Sequence, residues 1–124
     1  MADFISTFLE DLKNNIPGFI ATSITETATG MSFGSLSLDS KFDVELAGSH
    51  NLEVVKAKQN IIKTLELDEK IDDIMLTLTN QIHLISISEK GDYFIYLAVD
   101  IKKGNLGLTR SVLKKFTKNL EGKL

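Results

Sequence analysis

The chain has 124 residues, of which 43% are hydrophobic and 25% are charged, with a net charge of −3 and no cysteine. This balance is typical of a globular protein, and we expect a single domain over residues 1–124. The lack of cysteine excludes disulfides and thiolate metal sites, and no apolar run approaches the ~20 residues of a membrane span. The N-terminal segment has no basic start of the kind found in signal peptides, so the sequence predicts a cytoplasmic protein.

The charge is unevenly distributed along the chain. Residues 101–124 contain seven Lys or Arg and one acid, which gives +6 and leaves −9 for the rest. A basic helix on an acidic body could contact an acidic protein, anionic lipid or RNA. The simpler interpretation is a solvated helix face whose cations are favoured by the helix dipole. No Arg-rich or aromatic pattern indicates nucleic acid, so we expect no nucleic-acid partner.

The first third of the chain predicts a helix followed by two strands. Apolar residues at helical spacing predict a helix over residues 3–14, with Asp3 as its N-cap. The segment Phe19–Thr27 is rich in threonine and isoleucine, which favours a strand. A turn leads to a weaker strand, Met31–Ser37, in which Gly34 indicates a bulge or a close backbone approach.

The longest helical pattern is Val44–Leu65, and Ser40 and Asp43 are its candidate N-caps. The segment Gly48–Asn51 is unfavourable for a helix, so the sequence predicts a bend there or a later start. One stripe of apolar residues follows the helical period, with Leu52, Val55 and Ile62 beside it. The stripe consists of Val54, Ala57, Ile61 and Leu65.

Three strands and a last helix are predicted in the remainder. The strands are Ile74–Thr79, Ile82–Ser88 and Tyr93–Val99, and their short links favour an antiparallel meander. The last helix begins after Asn105, a favourable N-cap. The residues of this helix that we expect to face the core are Leu106, Val112, Leu113, Phe116 and Leu120.

The segment Tyr93–Val99 determines the predicted architecture. Side chains alternate between the two faces of a strand, and both sets are apolar here. The strand should therefore be central in its sheet, with helices covering both faces. The sequence predicts an α+β fold, a three-layer α/β/α sandwich with a five-stranded antiparallel sheet in the order α-β-β-α-β-β-β-α.

Several short motifs resemble those of the roadblock / dynein light chain family, which includes MglB-like proteins. They are the Ile16-Pro17-Gly18 entry to the first strand and Asn105-Leu106-Gly107-Leu108 with Arg110, just after an apolar strand ending in Asp100. The resemblance covers about residues 4–120. It implies a roadblock architecture, which is related to the profilin-like fold.

The resemblance also implies a non-enzymatic function. Members of the family form homodimers or heterodimers through the second helix and the adjacent third strand, which merges two sheets into one. They act as scaffolds or regulators, commonly of Ras-like small GTPases, and one branch associates with dynein.

A physical argument supports dimerisation independently. If Ile74–Gln81 lies at a sheet edge, it carries neither charge nor proline to prevent strand pairing, and only Asp72 and Asp73 guard one end. We expect a second copy to pair with this edge, with the helical stripe packing across a two-fold axis. The alternative is that the chain's own second helix shields the edge. The predicted dimer interface is Val54, Ala57, Ile61, Leu65, Ile74, Leu76 and Leu78.

The sequence does not predict catalytic chemistry, a metal or a cofactor. His83 alternates with isoleucines on a strand, which is typical of a packed or rim histidine. His50 lies beside Ser49, but neighbouring side chains diverge on a helix or a strand, so they cannot form a catalytic dyad. Asp68, Asp72 and Asp73 lack the glycine and ligand spacing of a calcium loop.

Two functions from different classes remain open. The first is a dimeric scaffold or regulator of a small GTPase or another cytoplasmic partner. The second is a profilin-like or PAS-like domain that senses a small molecule between sheet and helix. If a surface beyond the dimer binds a partner, we expect it to be the basic stripe Arg110, Lys114 and Lys118, spaced four apart on one helix face.

Overall fold

A computed structural model describes residues 2–124 of the chain, with side chains from residue 4 onward. The predicted order of helices and strands is confirmed. The elements are α1 (Ala2–Asn15), β1 (Phe19–Glu26), β2 (Ser32–Ser37), α2 (Val44–Thr64), β3 (Asp73–Thr77), β4 (Gln81–Ile87), β5 (Tyr93–Asp100) and α3 (Leu106–Asn119).

The five strands form one antiparallel sheet in the order β2-β1-β5-β4-β3. β5 is central, as its apolar faces predict, and every residue from Tyr93 to Val99 is buried. Because each of its neighbours is joined to it by hydrogen bonds along the strand, β5 connects both halves of the sheet.

Helices cover both faces of the sheet, which confirms the three-layer sandwich. One core layer lies between the sheet and the pair α1 and α3, and includes Leu12, Ile95 and Leu113. The other lies between the sheet and α2, and includes Val55 and Tyr96. Val44 and Val55 of α2 are buried in this core, and Val55 is the deeper of the two, at 0% exposed.

The first helix begins earlier than predicted. It starts at Ala2 rather than after an N-cap at Asp3, so Asp3 lies in its first turn. Its C-terminal end agrees within one residue, because the Ile16-Pro17 step disfavours helical geometry.

The predicted interruption of the second helix is wrong. α2 runs without a break from Val44, and Asp43 is its N-cap, accepting a hydrogen bond from the amide of Leu46 at 3.0 Å. Gly48 is buried where the helix crosses β1, and a Cβ atom there would lie 3.1 Å from the hydroxyl oxygens of Ser23 and Thr25. The cost of glycine in a helix is therefore offset by close packing against the sheet.

The third helix has its predicted N-cap, Asn105, which accepts from the amide of Leu108. The expectation that Leu106 faces the core is wrong, because this side chain is 38% exposed at the first turn. The pattern of apolar residues did not identify Thr109 and Thr117 as buried. Thr117 is accommodated because its hydroxyl donates to the carbonyl of Leu113.

The edge strand β2 contains the irregularity that Gly34 predicts. Ile24 of β1 pairs with Gly34, but the next residue, Thr25, pairs with Ser32. Phe33 is therefore left as the extra residue of a bulge. A Cβ atom on Gly34 would lie 2.5 Å from Cγ2 of Ile5 on α1. Glycine therefore allows α1 to approach this edge of the sheet.

Candidate interaction surface

The strand β3 lies at the sheet edge opposite β2 and pairs only with β4. Within the strand, Ile74 packs partly against the α2-side core, whereas Leu76 is 55% exposed. Leu78, just beyond the strand, is also exposed. The edge thus presents apolar side chains beside backbone groups that no strand within residues 2–124 pairs.

The predicted stripe on α2 is exposed along its length. Val54, Ile61 and Leu65 are large apolar residues at the surface, and Ala57 is also exposed. On the other flank of the helix, Glu45 accepts a hydrogen bond from the hydroxyl of Ser35 on β2 at 3.0 Å. At 3.6 residues per turn, the stripe and Glu45 lie on opposite flanks of the helix. Because Glu45 faces β2, the stripe is directed toward the β4 and β3 side of the sheet.

The stripe and the apolar side chains of β3 lie on the same side of the sheet. Residues paired across neighbouring strands point to the same face of the sheet. Leu76 of β3 pairs with His83 of β4, and His83 pairs with Ala98 of β5, which belongs to the α2-side core. Ile74 pairs with Ile85 in the same way. The fold therefore brings the helix and strand sets of the predicted interface to one side of the molecule, next to a free strand edge.

The charged residues at the start of β3 are tied to α3. The guanidinium of Arg110 donates two hydrogen bonds to the carboxylate of Asp73, at 3.0 and 3.1 Å. The ammonium of Lys114 lies 3.9 Å from the carboxylate of Asp72. These aspartates were predicted to guard the edge by charge, but their charges are compensated from the other face of the sheet.

The same contacts change the interpretation of the basic stripe on α3. Arg110 and Lys114 form ion pairs within the chain, so they hold the helix against the edge strand. Lys118 lines a surface cleft of about 310 Å³ together with Lys114 and Glu121. Partner binding by these three cations stays a prediction.

His83, which the sequence predicts to be a packed or rim histidine, is half-buried and takes part in a hydrogen-bonded cluster. Its Nδ1 lies 3.0 Å from the hydroxyl of Tyr96, and its Nε2 lies 2.8 Å from Oε1 of Gln81. The ring of Phe42 lies edge-on to the imidazole at 6.0 Å and stacks on Tyr96 at 6.4 Å. Burial lowers the pKa of His83 and raises that of Tyr96.

Further clefts lie at the surface. One of about 400 Å³ is lined by the end of α2 and the turn between β4 and β5, including Ile62, Ile87 and Gly91.

Within the part of the chain that the structure describes, no three His, Asp or Glu side chains are grouped as metal ligands. Among residues 2–124, no helix combines the length and apolar character needed to cross a membrane.

Comparison with known sequences does not assign the chain to a family. A scan against protein-family models finds no match, and a search of curated proteins finds none either. The comparison with solved structures, in contrast, finds many similar chains.

Three of these structures show the range of the similarity. A roadblock/LC7 domain from Streptomyces avermitilis superposes with a TM-score of 0.81 at 8% identity, covering 94% of each chain. An MglB with a tetrameric arrangement gives a TM-score of 0.81 at 12% identity, covering 95% of this chain and 85% of that one. A chain of the LokiProfilin2–rabbit actin complex gives 0.66 at 18% identity, covering all of both chains.

At these identities the similarity establishes the fold. It covers nearly the whole chain and agrees with the element order and sheet topology described above. The structure of this protein is therefore roadblock-like and MglB-like, as its sequence predicts, within the wider profilin-like architecture.

Proposed function

We propose that this protein is a non-enzymatic, dimeric interaction module that scaffolds or regulates a Ras-like small GTPase or another cytoplasmic partner. The observation that carries the proposal is the exposed apolar surface formed by the α2 stripe and β3. Exposed apolar side chains of both elements lie on the same side of the sheet as the free edge of β3, and exposed apolar surface of this kind is typical of protein interfaces.

The two free edges of the sheet differ in a way that supports pairing through β3. The β2 edge is interrupted by the bulge at Phe33. A bulge increases the local twist of its strand and disfavours regular pairing with a further strand. β3 keeps an uninterrupted register with β4 from Asp73 to Thr77. A second copy that pairs antiparallel with β3 places the two α2 stripes on the same side, where they cover one another about a two-fold axis.

Charge substitutions in this surface test the dimer. Ile61→Glu in α2 and Leu76→Lys in β3 should each shift sedimentation velocity profiles at micromolar concentration from dimer to monomer, because a buried unpaired charge opposes association. The matched control is Lys56→Glu, an exposed position on the flank of α2 away from the stripe. Equal dimerisation of all three variants would exclude this surface as the interface.

The partner class is tested by affinity capture from lysate with GDP or a non-hydrolysable GTP analogue. We expect the wild-type protein to retain a small GTPase preferentially in one nucleotide state. The Ile61→Glu variant should lose it, because a bivalent scaffold needs its dimer. Retention of no GTPase in either state would remove that part of the proposal and leave the dimeric module.

The same capture can be repeated with Arg110→Glu, Lys114→Glu and Lys118→Glu combined. If the basic stripe is a partner surface, the captured protein is lost while the dimer persists. If capture is unchanged, the role of Arg110 and Lys114 is confined to their contacts with β3.

The small-molecule sensor is less well supported. A sensor of this architecture needs an apolar cavity between sheet and helix with converging polar groups. At that location the side chains of Val55, Phe94 and Tyr96 are packed together and fully or almost fully buried. The packed core and the exposed apolar surface both favour the interaction module.

A further inference from the structure

We propose that His83 is a pH-sensitive switch that weakens the dimer when it becomes protonated. This inference rests on the dimer of the proposed function and adds a means of regulation to it. It follows from the position of the imidazole, which lies beside Leu76 of the edge strand β3 and against Phe42 of the segment that leads into α2.

The hydrogen bonds of the cluster define the protonation state that the fold favours. Oε1 of Gln81 can only accept, so Nε2 of His83 carries the hydrogen and donates. Nδ1 of the neutral ring is then an acceptor and receives the hydroxyl hydrogen of Tyr96. In this arrangement the hydroxyl of Tyr96 donates its hydrogen to the neutral imidazole.

Protonation of Nδ1 disrupts this arrangement. The ring then has two N–H donors, and the hydroxyl of Tyr96 must turn its hydrogen away from Nδ1. Among the described residues, His83 Nδ1 is the hydrogen-bond partner that the structure shows for this hydroxyl, and the apolar ring of Phe42 stacks on Tyr96 beside it. A half-buried charge and an unsatisfied hydroxyl group are both unfavourable in such a site.

Two neighbours connect this change to the interface. Leu76 of β3 pairs directly with His83 across the strands, and this residue is in the predicted interface. Phe42 immediately precedes Asp43, the N-cap of α2. A second copy packing on Leu76 would cover the remaining exposed side of His83, so the dimer should disfavour protonation more strongly than the monomer does.

The charged groups on the surrounding elements do not compensate a proton on His83. Among the described residues, no carboxylate lies within ion-pairing distance of this imidazole. Asp73 of β3 faces α3, and Glu45 of α2 bonds Ser35. In the preceding segment Asp39 binds the amide of Lys41 and Asp43 caps α2, while Asp100 of β5 binds the amide of Lys102.

The direction of the pH effect follows from the lowered pKa of His83. A histidine whose pKa is lower in the folded state takes up a proton on unfolding near that pKa. Its stabilising contribution is complete above the unfolded value of 6.5 and is lost as the pH falls through the lowered folded value. If the pKa of His83 is lower in the dimer than in the monomer, the uptake of protons at low pH favours dissociation in the same way.

The test is the dissociation constant of the dimer at pH 7.5 and pH 5.0, measured by sedimentation equilibrium on the full chain. For the wild-type protein we expect the dissociation constant to rise by about tenfold or more at pH 5.0, since two protons are taken up per dimer. For His83→Gln, which cannot titrate, we expect less than about a twofold change. His50 lies one turn before Val54 on the stripe face of α2, so His50→Gln tests whether this second histidine carries the response instead. We expect this variant to keep the wild-type response.

An NMR titration of the two histidines gives a second, independent readout. We expect His83 of the wild-type protein to titrate below 6.5, and the Tyr96→Phe variant to titrate at higher pH because its neutral imidazole has lost a donor. A His83 pKa at or above 6.5 in the wild-type protein would overturn the switch.

The remaining outcomes separate the inference from the proposed function. A wild-type dimer equally tight at both pH values overturns the switch and leaves the dimeric module intact. A response that persists in His83→Gln, or disappears in His50→Gln, assigns the effect to other groups and also overturns it. A monomer at pH 7.5 overturns both the dimer and its regulation.

Discussion

Two adjacent valines of α2 show how one position in a helix decides between fold and interface. Val55 is fully buried against the sheet, whereas Val54 is 40% exposed in the stripe. A hydrophobic pattern identifies both as apolar, but it cannot say which of two neighbouring stripes faces the core. That depends on how the helix is rotated against β1, which Gly48 fixes by close approach.

The two valines therefore predict opposite effects. Val55→Ala should lower the free energy of unfolding by about 2–3 kcal/mol, because it removes buried methyl groups and leaves a cavity. Val54→Ala should change the stability of the monomer little but weaken the dimer. Denaturant unfolding at several protein concentrations measures both effects, and equal losses in the two variants at low concentration would contradict the assignment.

Gly48 gives a second prediction at the residue scale. Gly48→Val places a branched side chain against Ser23 and Thr25, where even a Cβ atom is crowded. We expect a loss of about 1–3 kcal/mol in the free energy of unfolding, as for other overpacked sites. The control, Ser49→Ala, lies on the exposed side of the helix and should be nearly neutral in the same denaturant titration.

At the scale of elements, the sequence was informative wherever the signal is local. The apolar segment beginning at Tyr93 predicts a central strand, because consecutive residues alone show that the side chains on both faces of the strand are apolar. Asn105 predicts a helix start because capping is local. The ion pair between Arg110 and Asp73 could not be predicted, since these residues are 37 positions apart. They meet because α3 packs against β4 and β5, and β4 pairs with β3.

The contribution of the Arg110–Asp73 ion pair to stability can be measured. Arg110→Ala should lower the free energy of unfolding by about 0.5–1 kcal/mol at low salt, and by less at high salt, because the pair is partly exposed and screened. Lys115→Ala on the same helix is the control, since its side chain lies at the exposed surface. If both substitutions have the same effect at low salt, the bidentate contact contributes nothing specific.

At the scale of the whole molecule, the sequence predicted the three-layer architecture, and the resemblance implied that the α2 stripe and β3 share one interface. The structure brings these two sets to one side of the sheet and leaves them exposed. It also shows what sequence could not: the bulge that makes β2 the less suitable edge and the cluster at His83. Both depend on strand register and packing.

The central claim is that this exposed surface is covered by a second copy of the chain. The most direct test is the mass of the wild-type protein by multi-angle light scattering at micromolar concentration and pH 7.5. The account predicts twice the 13.7 kDa of one chain. A mass of one chain under these conditions would contradict it.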